Sequence, residues 1–90
     1  MVNSVMLVGR FVKLENDTIV LSIPSNSKNE NGEWYAYNIS CSISGSLLEN
    51  TKKYVSVGNI VGIRGHFEDN NMVVVEKITF LSGGKENNNE

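Results

Sequence analysis

The sequence predicts a small all-β barrel of five strands carrying one short helix, and three observations support that expectation. Apolar and polar residues alternate with period two through five segments, the signature of strands with one face toward a core. The alternation breaks once, between Ser46 and Tyr54, where Leu47, Leu48 and Tyr54 fall at helical spacing. Turn-forming residues separate the segments, and "SGGKENNNE" closes the chain as a polar stretch. With 90 residues there is material for a single domain, expected over 1–82, followed by a polar tail over 83–90.

Val5, Leu7, Gly9 and Phe11 alternate with Met6, Val8, Arg10 and Val12, so a first strand from about Asn3 to Lys13 is apolar on both faces. One row fills the barrel. The other, Met6, Val8 and Val12, needs a separate cover, and a second copy of the chain is the simplest one. Glu15 to Asp17 is a turn, and Ile19, Leu21 and Ile23 face inward from a second strand whose outward residues are Thr18, Val20 and Ser22. Pro24 ends that strand, since proline donates nothing to a ladder. Ser25 to Gly32 then forms a polar loop.

In "EWYAYNISCSISG" (33–45), Tyr35, Tyr37, Ile39, Cys41 and Ile43 share the inward face of a third strand. Trp34, Ala36, Asn38, Ser40 and Ser42 share the outward one. The helix is expected over Ser46–Tyr54, with Gly58 as its stop. A fourth strand places Val61, Ile63, Gly65 and Phe67 inward and Ile60, Gly62, Arg64 and His66 outward. "EDNN" (68–71) is a tight hairpin turn, and "MVVVEKITFL" (72–81) is the fifth strand. Tyr54, Phe67 and Phe80 are expected in the core. Three strands, a helix and a closing hairpin is the order of the OB-fold, a five-stranded Greek-key barrel with one short helix between strands 3 and 4.

Composition narrows the function classes. Apolar content of 40% and charged content of 20% describe a soluble globular chain, and no apolar run approaches the ~20 residues of a membrane helix. The opening "MVNSVMLVGR" has no basic flank or long apolar segment of a signal peptide, so the expected compartment is the cytoplasm. Cys41 and His66 are the sole residues of their types, which leaves no disulfide, no cysteine metal cluster and no histidine-based catalytic pair. Without a phosphate loop or nucleophile motif, neither an enzyme nor a cofactor is expected. The net charge of −2 gives no direct pointer to nucleic acid.

In "MVNSVMLVGRFVK" the run Val-Met-Leu-Val-Gly-Arg-Phe resembles the opening strand of bacterial and phage-type single-stranded DNA-binding proteins, which reads like Val-Leu-Val-Gly-Arg-Leu. "DTIVLSIPS" stands where that family has its second strand. "YNISCSISGSLLENTKKYVSVGNIVGIRGHF" follows its third strand, helix, Tyr-x-x-x-Gly and fourth strand, and "ITFL" closes the domain as the family does. The resemblance runs in one order from Met1 to Leu81. It implies an OB-fold and a homodimer or homotetramer built through strand one. It also implies sequence-independent binding of single-stranded DNA in replication, recombination or repair.

The family's stacking aromatics align with Ser27, Asn38 and Ser44, and its long strand four–five hairpin shrinks to "EDNN". Weak DNA binding is therefore the expectation, because each lost platform removes ~1–3 kcal/mol. Also, the chain ends "KENNNE" where the family carries an acidic tail with an apolar tip. Trp34 is the compensating platform, four residues from the family's position; a tryptophan folded over the barrel rim or into a subunit contact explains it equally. Arg10, Lys13, Lys28 and Arg64 are the phosphate candidates, and Asn38 and Ser40 are candidates for hydrogen bonds to bases, although exposed strands carry such residues by default. Lys52 and Lys53 suit a helix C-terminus. The alternative is an OB-fold protein-interaction module in a replication, conjugation or phage assembly that no longer binds DNA.

Overall fold

The computed structural model describes residues 3–69 and 72–82. Five strands, β1 (Val5–Glu15), β2 (Thr18–Lys28), β3 (Trp34–Ser42), β4 (Ile60–Phe67) and β5 (Val73–Ser82), close into a barrel in the order β1-β2-β3-β5-β4. The helix α1 (Gly45–Tyr54) lies between β3 and β4, as expected. Every ladder is antiparallel except β3 to β5, which is parallel and pairs Cys41 with Val73 and Ser42 with Val74. Residues 83–90 of the expected tail, and Asn70 and Asn71 of the "EDNN" turn, lie outside the described residues.

Alternation places the core where the pattern requires it. Phe11, Ile19, Leu21, Cys41, Ile43, Val61, Ile63, Val73 and Val75 form one buried cluster, and Leu47, Leu48 and Val55 pack on it from the helical segment. Inside α1, Thr51 is fully buried and its hydroxyl donates to Leu47 O at 2.8 Å, so its polar atom is satisfied. Val55 N donates to Thr51 O at the helix end, and Gly58 belongs to the following turn with φ +96°. Asn16 turns β1 into β2 with φ 54°, a left-handed conformation that asparagine tolerates better than most residues.

β1 changes partners along its length. Val5 to Arg10 pair with β4, and Arg10 to Glu15 pair with β2, with a bulge at Val12 between Phe11 and Lys13. From Val5 to Gly9 the edge of β1 that faces away from β4 pairs with no described strand. β2 likewise continues past Ser22 paired to β3 alone, as far as Lys28↔Trp34. Beyond Ser22, where β1 leaves β2, β2 and β3 form a two-stranded arm that ends at Lys28 and Trp34. Its tip is knotted by Asn29, whose Oδ1 accepts from Asn31 N at 2.9 Å and Glu33 N at 3.0 Å.

The arm corrects several expectations. Pro24 does not end β2, because the strand runs on to Lys28 with an irregularity after Pro24. Proline is tolerated there because one edge of the strand is free at that point. Much of the polar loop expected over 25–32 is therefore strand. Tyr35 and Tyr37 are not core; they are 44% and 48% exposed. They keep the parity of Cys41, but they stand at the rim of the barrel, where Ile23, paired with Tyr37, still packs on the core while the rings stay exposed. Phe67, Tyr54 and Phe80 are also exposed, at the last residue of β4, the last residue of α1 and near the end of β5. The Tyr54 and Phe80 rings pack on each other with centroids 6.4 Å apart. Val20, expected outward, is buried between Lys13 and Ser40 in its row.

Candidate functional site

Register rows show which predicted residues share a surface. On the outer face of β1–β2–β3, Arg10 pairs with Ser22 and Ser22 with Asn38; the next row toward the β1–β2 turn is Lys13, Val20 and Ser40. In the other direction follow Pro24↔Ala36 and then Lys28↔Trp34. Arg10, Lys13, Lys28, Trp34, Asn38 and Ser40 therefore lie on one continuous face. From Ser40 to Trp34 it extends roughly 20 Å at the rise of a β-strand.

Trp34 is 66% exposed, and Lys28 Nζ sits 5.5 Å from its ring centroid in cation–π range. An aromatic face and a cation thus stand together on the arm. Arg10 is anchored, its guanidinium donating to Gly58 O at 2.9 Å, which points the charged end of the side chain toward the α1–β4 turn. Lys13 pairs with Glu15 at 3.2 Å, both side chains exposed, so its charge is partly offset.

Arg64 belongs elsewhere. It lies on the outer face of β1–β4–β5, in the row Met6, Arg64, Lys77, beside the row Val8, Gly62, Thr79. Met6 and Val8 are exposed there with Leu81 and line a shallow depression of about 230 Å³. Val12 is half-buried at its bulge, where β1 has already joined β2, and so stands apart from Met6 and Val8.

Between the two faces, where β1 and β2 diverge, Val8, Gly9, Arg10, Ser22, Pro24, Ala36 and Ile60 line a groove of about 290 Å³. Its walls are mostly apolar, with Arg10 and Ser22 as the polar exceptions. On β4, each ring nitrogen of His66 donates to a carboxylate, Nδ1 to Glu76 Oε2 at 2.5 Å and Nε2 to Glu68 Oε2 at 2.6 Å. The Glu76 bond, then the Glu68 bond, hold the imidazole pKa above its ordinary 6.5. The two carboxylates favour the protonated ring and engage both of its nitrogens, a histidine–carboxylate cluster that sequence reasoning did not anticipate. Burial pushes the Cys41 thiol up to about 11, which makes it a poor nucleophile.

No family model matches the chain, and no curated protein matches it significantly by sequence. Solved structures do. One crystal form of the mitochondrial single-stranded DNA-binding protein Rim1 of S. cerevisiae superposes with a TM-score of 0.63 at 22% identity, covering 93% of this chain and 100% of Rim1. A second form gives a TM-score of 0.59 at 22% identity, with 92% and 97% covered.

The fold is an OB-fold. Within this OB-fold, the residues that sequence reasoning missed are Tyr35 and Tyr37, which alternation assigned to the core. The signal that would have found them is the run of three aromatics in four residues beside a polar tip, since a strand inside a small barrel has room for large rings on one face only.

Proposed function

We propose that this OB-fold binds single-stranded DNA without strong sequence preference, through the outer face of β1–β2–β3. The observation that carries this reading is the assembly of Trp34, Lys28, Asn38, Ser40 and Arg10 on one uninterrupted face. It combines a stacking ring, small hydrogen-bonding groups and cations, the elements that hold a single strand irrespective of sequence. The likeness to Rim1, a mitochondrial single-stranded DNA-binding protein, supports it. Its place is as a binding protein, not an enzyme, in replication, recombination or repair.

The functional unit of this proposal is a homodimer or a larger homo-oligomer. Met6 and Val8 are exposed on β1 beside the unpaired edge from Val5 to Gly9, so a second copy would cover apolar side chains and satisfy backbone groups at once. As for other surroundings, no helix among the described residues is long and apolar enough to cross a membrane.

Affinity is expected to be modest. Among the described residues, Arg10 and Lys28 are the cations on this face that form no ion pair with a carboxylate. At roughly −0.7 per phosphate contact for single strands, two contacts predict a slope of log K against log salt of about −1.4. Adding Lys13 and Arg64 would steepen it to about −2.8. The test is Trp34 fluorescence during titration with an oligothymidine of about 30–35 nucleotides at low and moderate salt. Saturable quenching with the shallower slope is expected. No quenching, together with an unshifted gel at low salt, refutes DNA binding.

A second reading rests on the groove between β1 and β2. Its apolar walls and two free strand edges suit an extended peptide adding to the sheet. That is the chemistry of a protein-interaction module, and it becomes the preferred reading in the absence of quenching.

A further inference from the structure

We infer that Tyr35 and Tyr37 form a second stacking face for the same single strand, on the side of the β2–β3 arm opposite Trp34, with the nucleic acid passing around the free edge of β3. This rests on the single-strand reading above and adds a path to it.

The arm carries aromatic rings on both sides. Trp34 projects on the face of Pro24 and Ala36, whereas Tyr35 and Tyr37 project on the face of Ile23, which pairs with Tyr37. All three rings are substantially exposed, although on the tyrosine side Ile23, the register partner of Tyr37, still packs on the core at the barrel rim. Aromatic rings exposed on both sides of a two-stranded ribbon suit a partner that reaches both. A flexible polymer does this by turning once around an edge, and a single strand with its unpaired bases is such a polymer.

The edge that offers this path is that of β3. β5 pairs with β3 only at Cys41 and Ser42 among the described residues, so from Trp34 to Ser40 the outer edge of β3 is unpaired. In an antiparallel ribbon every second residue on such an edge directs its N–H and C=O outward, and backbone N–H groups are regular phosphate ligands. Trp34 and Tyr35 are consecutive, with Cα atoms about 3.8 Å apart, yet they face opposite ways. Neighbouring nucleotides turning around the edge therefore meet a ring on one side, amide donors at the edge and rings on the other. Tyr35 and Tyr37, two residues apart, stand roughly 6.6 Å apart along the strand, about twice the 3.4 Å stacking interval of bases. That spacing leaves room for one base between their rings. The free edge could instead pair with a strand of a second copy, and the test separates these occupants.

The test is titration of the wild type, Tyr35→Ala/Tyr37→Ala and Tyr35→Phe/Tyr37→Phe with an oligothymidine of about 30–35 nucleotides. Trp34 fluorescence and light-scattering mass are followed together. Both tyrosines are exposed, so neither variant opens the core. The alanine pair is expected to bind at least roughly tenfold more weakly, with Trp34 quenching at saturation and protein mass unchanged. The phenylalanine pair, which keeps the rings, is expected to bind like the wild type. Wild-type affinity in the alanine pair, with Trp34 still quenched, overturns the second face and leaves the first intact. Weaker binding accompanied by a lower oligomeric mass assigns the tyrosines to a protein contact and also overturns it. Absence of DNA binding by the wild type overturns both readings, which is a distinct result.

Discussion

Gly65 allows the closest approach between β4 and β5, and replacing it should be among the most damaging single-methyl changes available in this barrel. A Cβ built at Gly65 would lie 2.1 Å from Val74 O, 3.0 Å from Val74 C and 3.2 Å from Val73 Cγ1. The first distance falls about 1.3 Å short of ordinary contact, and a backbone oxygen cannot rotate away. Gly65→Ala must therefore part the β4–β5 ladder, beside the bulge between Arg64 and Gly65.

Two other glycines supply internal controls. At Gly9 the Cβ would meet Ser22 O at 2.7 Å and Ile23 Cγ1 at 3.0 Å, a smaller overlap that includes a movable side chain. At Gly62, on the outer face, the neighbours are Leu81 Cδ1 at 3.5 Å and Val8 Cγ2 at 4.0 Å, which is ordinary contact. Overpacking costs about 1–3 kcal/mol, so about 3 kcal/mol or more is expected at Gly65 and about 1–2 kcal/mol at Gly9. Gly62→Ala should be neutral or stabilising by up to about 1 kcal/mol, because alanine restricts the unfolded chain. At roughly 4–8 °C per kcal/mol, Gly65→Ala lowers Tm by about 12–24 °C. Far-UV circular dichroism melts are the suitable assay, since Trp34 on the exposed arm reports poorly on the core. A Gly65→Ala protein melting within about 5 °C of the wild type, or above Gly9→Ala, would refute the close approach of β4 and β5.

Three further perturbations probe other regions. The raised pKa of His66 means its contribution to stability is complete below pH 6.5 and is lost as pH rises through the folded-state value; urea midpoints across pH 5 to 9 should show this fall, and His66→Gln should remove it. Val8→Lys places a charge beside the edge of β1 left unpaired among the described residues and is expected to lower the mass of the proposed homo-oligomer to that of a monomer by light scattering; an unchanged mass would refute assembly through this edge. α1 has no acidic residue in its first turn and no side-chain cap from Ser44, so Ser46→Asp should raise stability by about 0.3–1 kcal/mol, measured by urea unfolding.

Alternation made most of the barrel readable, because in a strand it states which side each residue faces. The two apolar rows of β1, the inward rows of β2 and β4, and the helical break before β4 all follow from it. What alternation cannot state is where the sheet stops being covered. Tyr35 and Tyr37 have the parity of Cys41 but stand at the barrel rim, Phe67 is the last residue of β4, and Phe80 is exposed although it pairs with buried Val61, its ring packing on Tyr54 instead. Pro24 misled because its missing N–H matters only where a neighbouring strand waits for it. Arg64 faces outward as its parity requires, yet strand order β5-β4-β1 puts it on a different outer surface from Lys28. The Lys13–Glu15 pair was missed because Glu15 was assigned to the turn rather than to β1, and the bulge at Val12 leaves no mark in the residue types.

The seam between β3 and β5 also makes the barrel a chemical clock. All other neighbouring strands are joined by longer antiparallel ladders, whereas this one holds at Cys41↔Val73 and Ser42↔Val74 among the described residues. Parting that short seam would leave an open antiparallel sheet with every other ladder intact, a local excursion well below the energy of global unfolding. Cys41 lies on the seam, fully buried, its thiol held protonated by burial and out of reach of alkylating reagents. Each excursion delivers the chain's single thiol to solvent. Global unfolding exposes it too, so alkylation of Cys41 faster than the chain unfolds would read how often the barrel unlatches along this one edge.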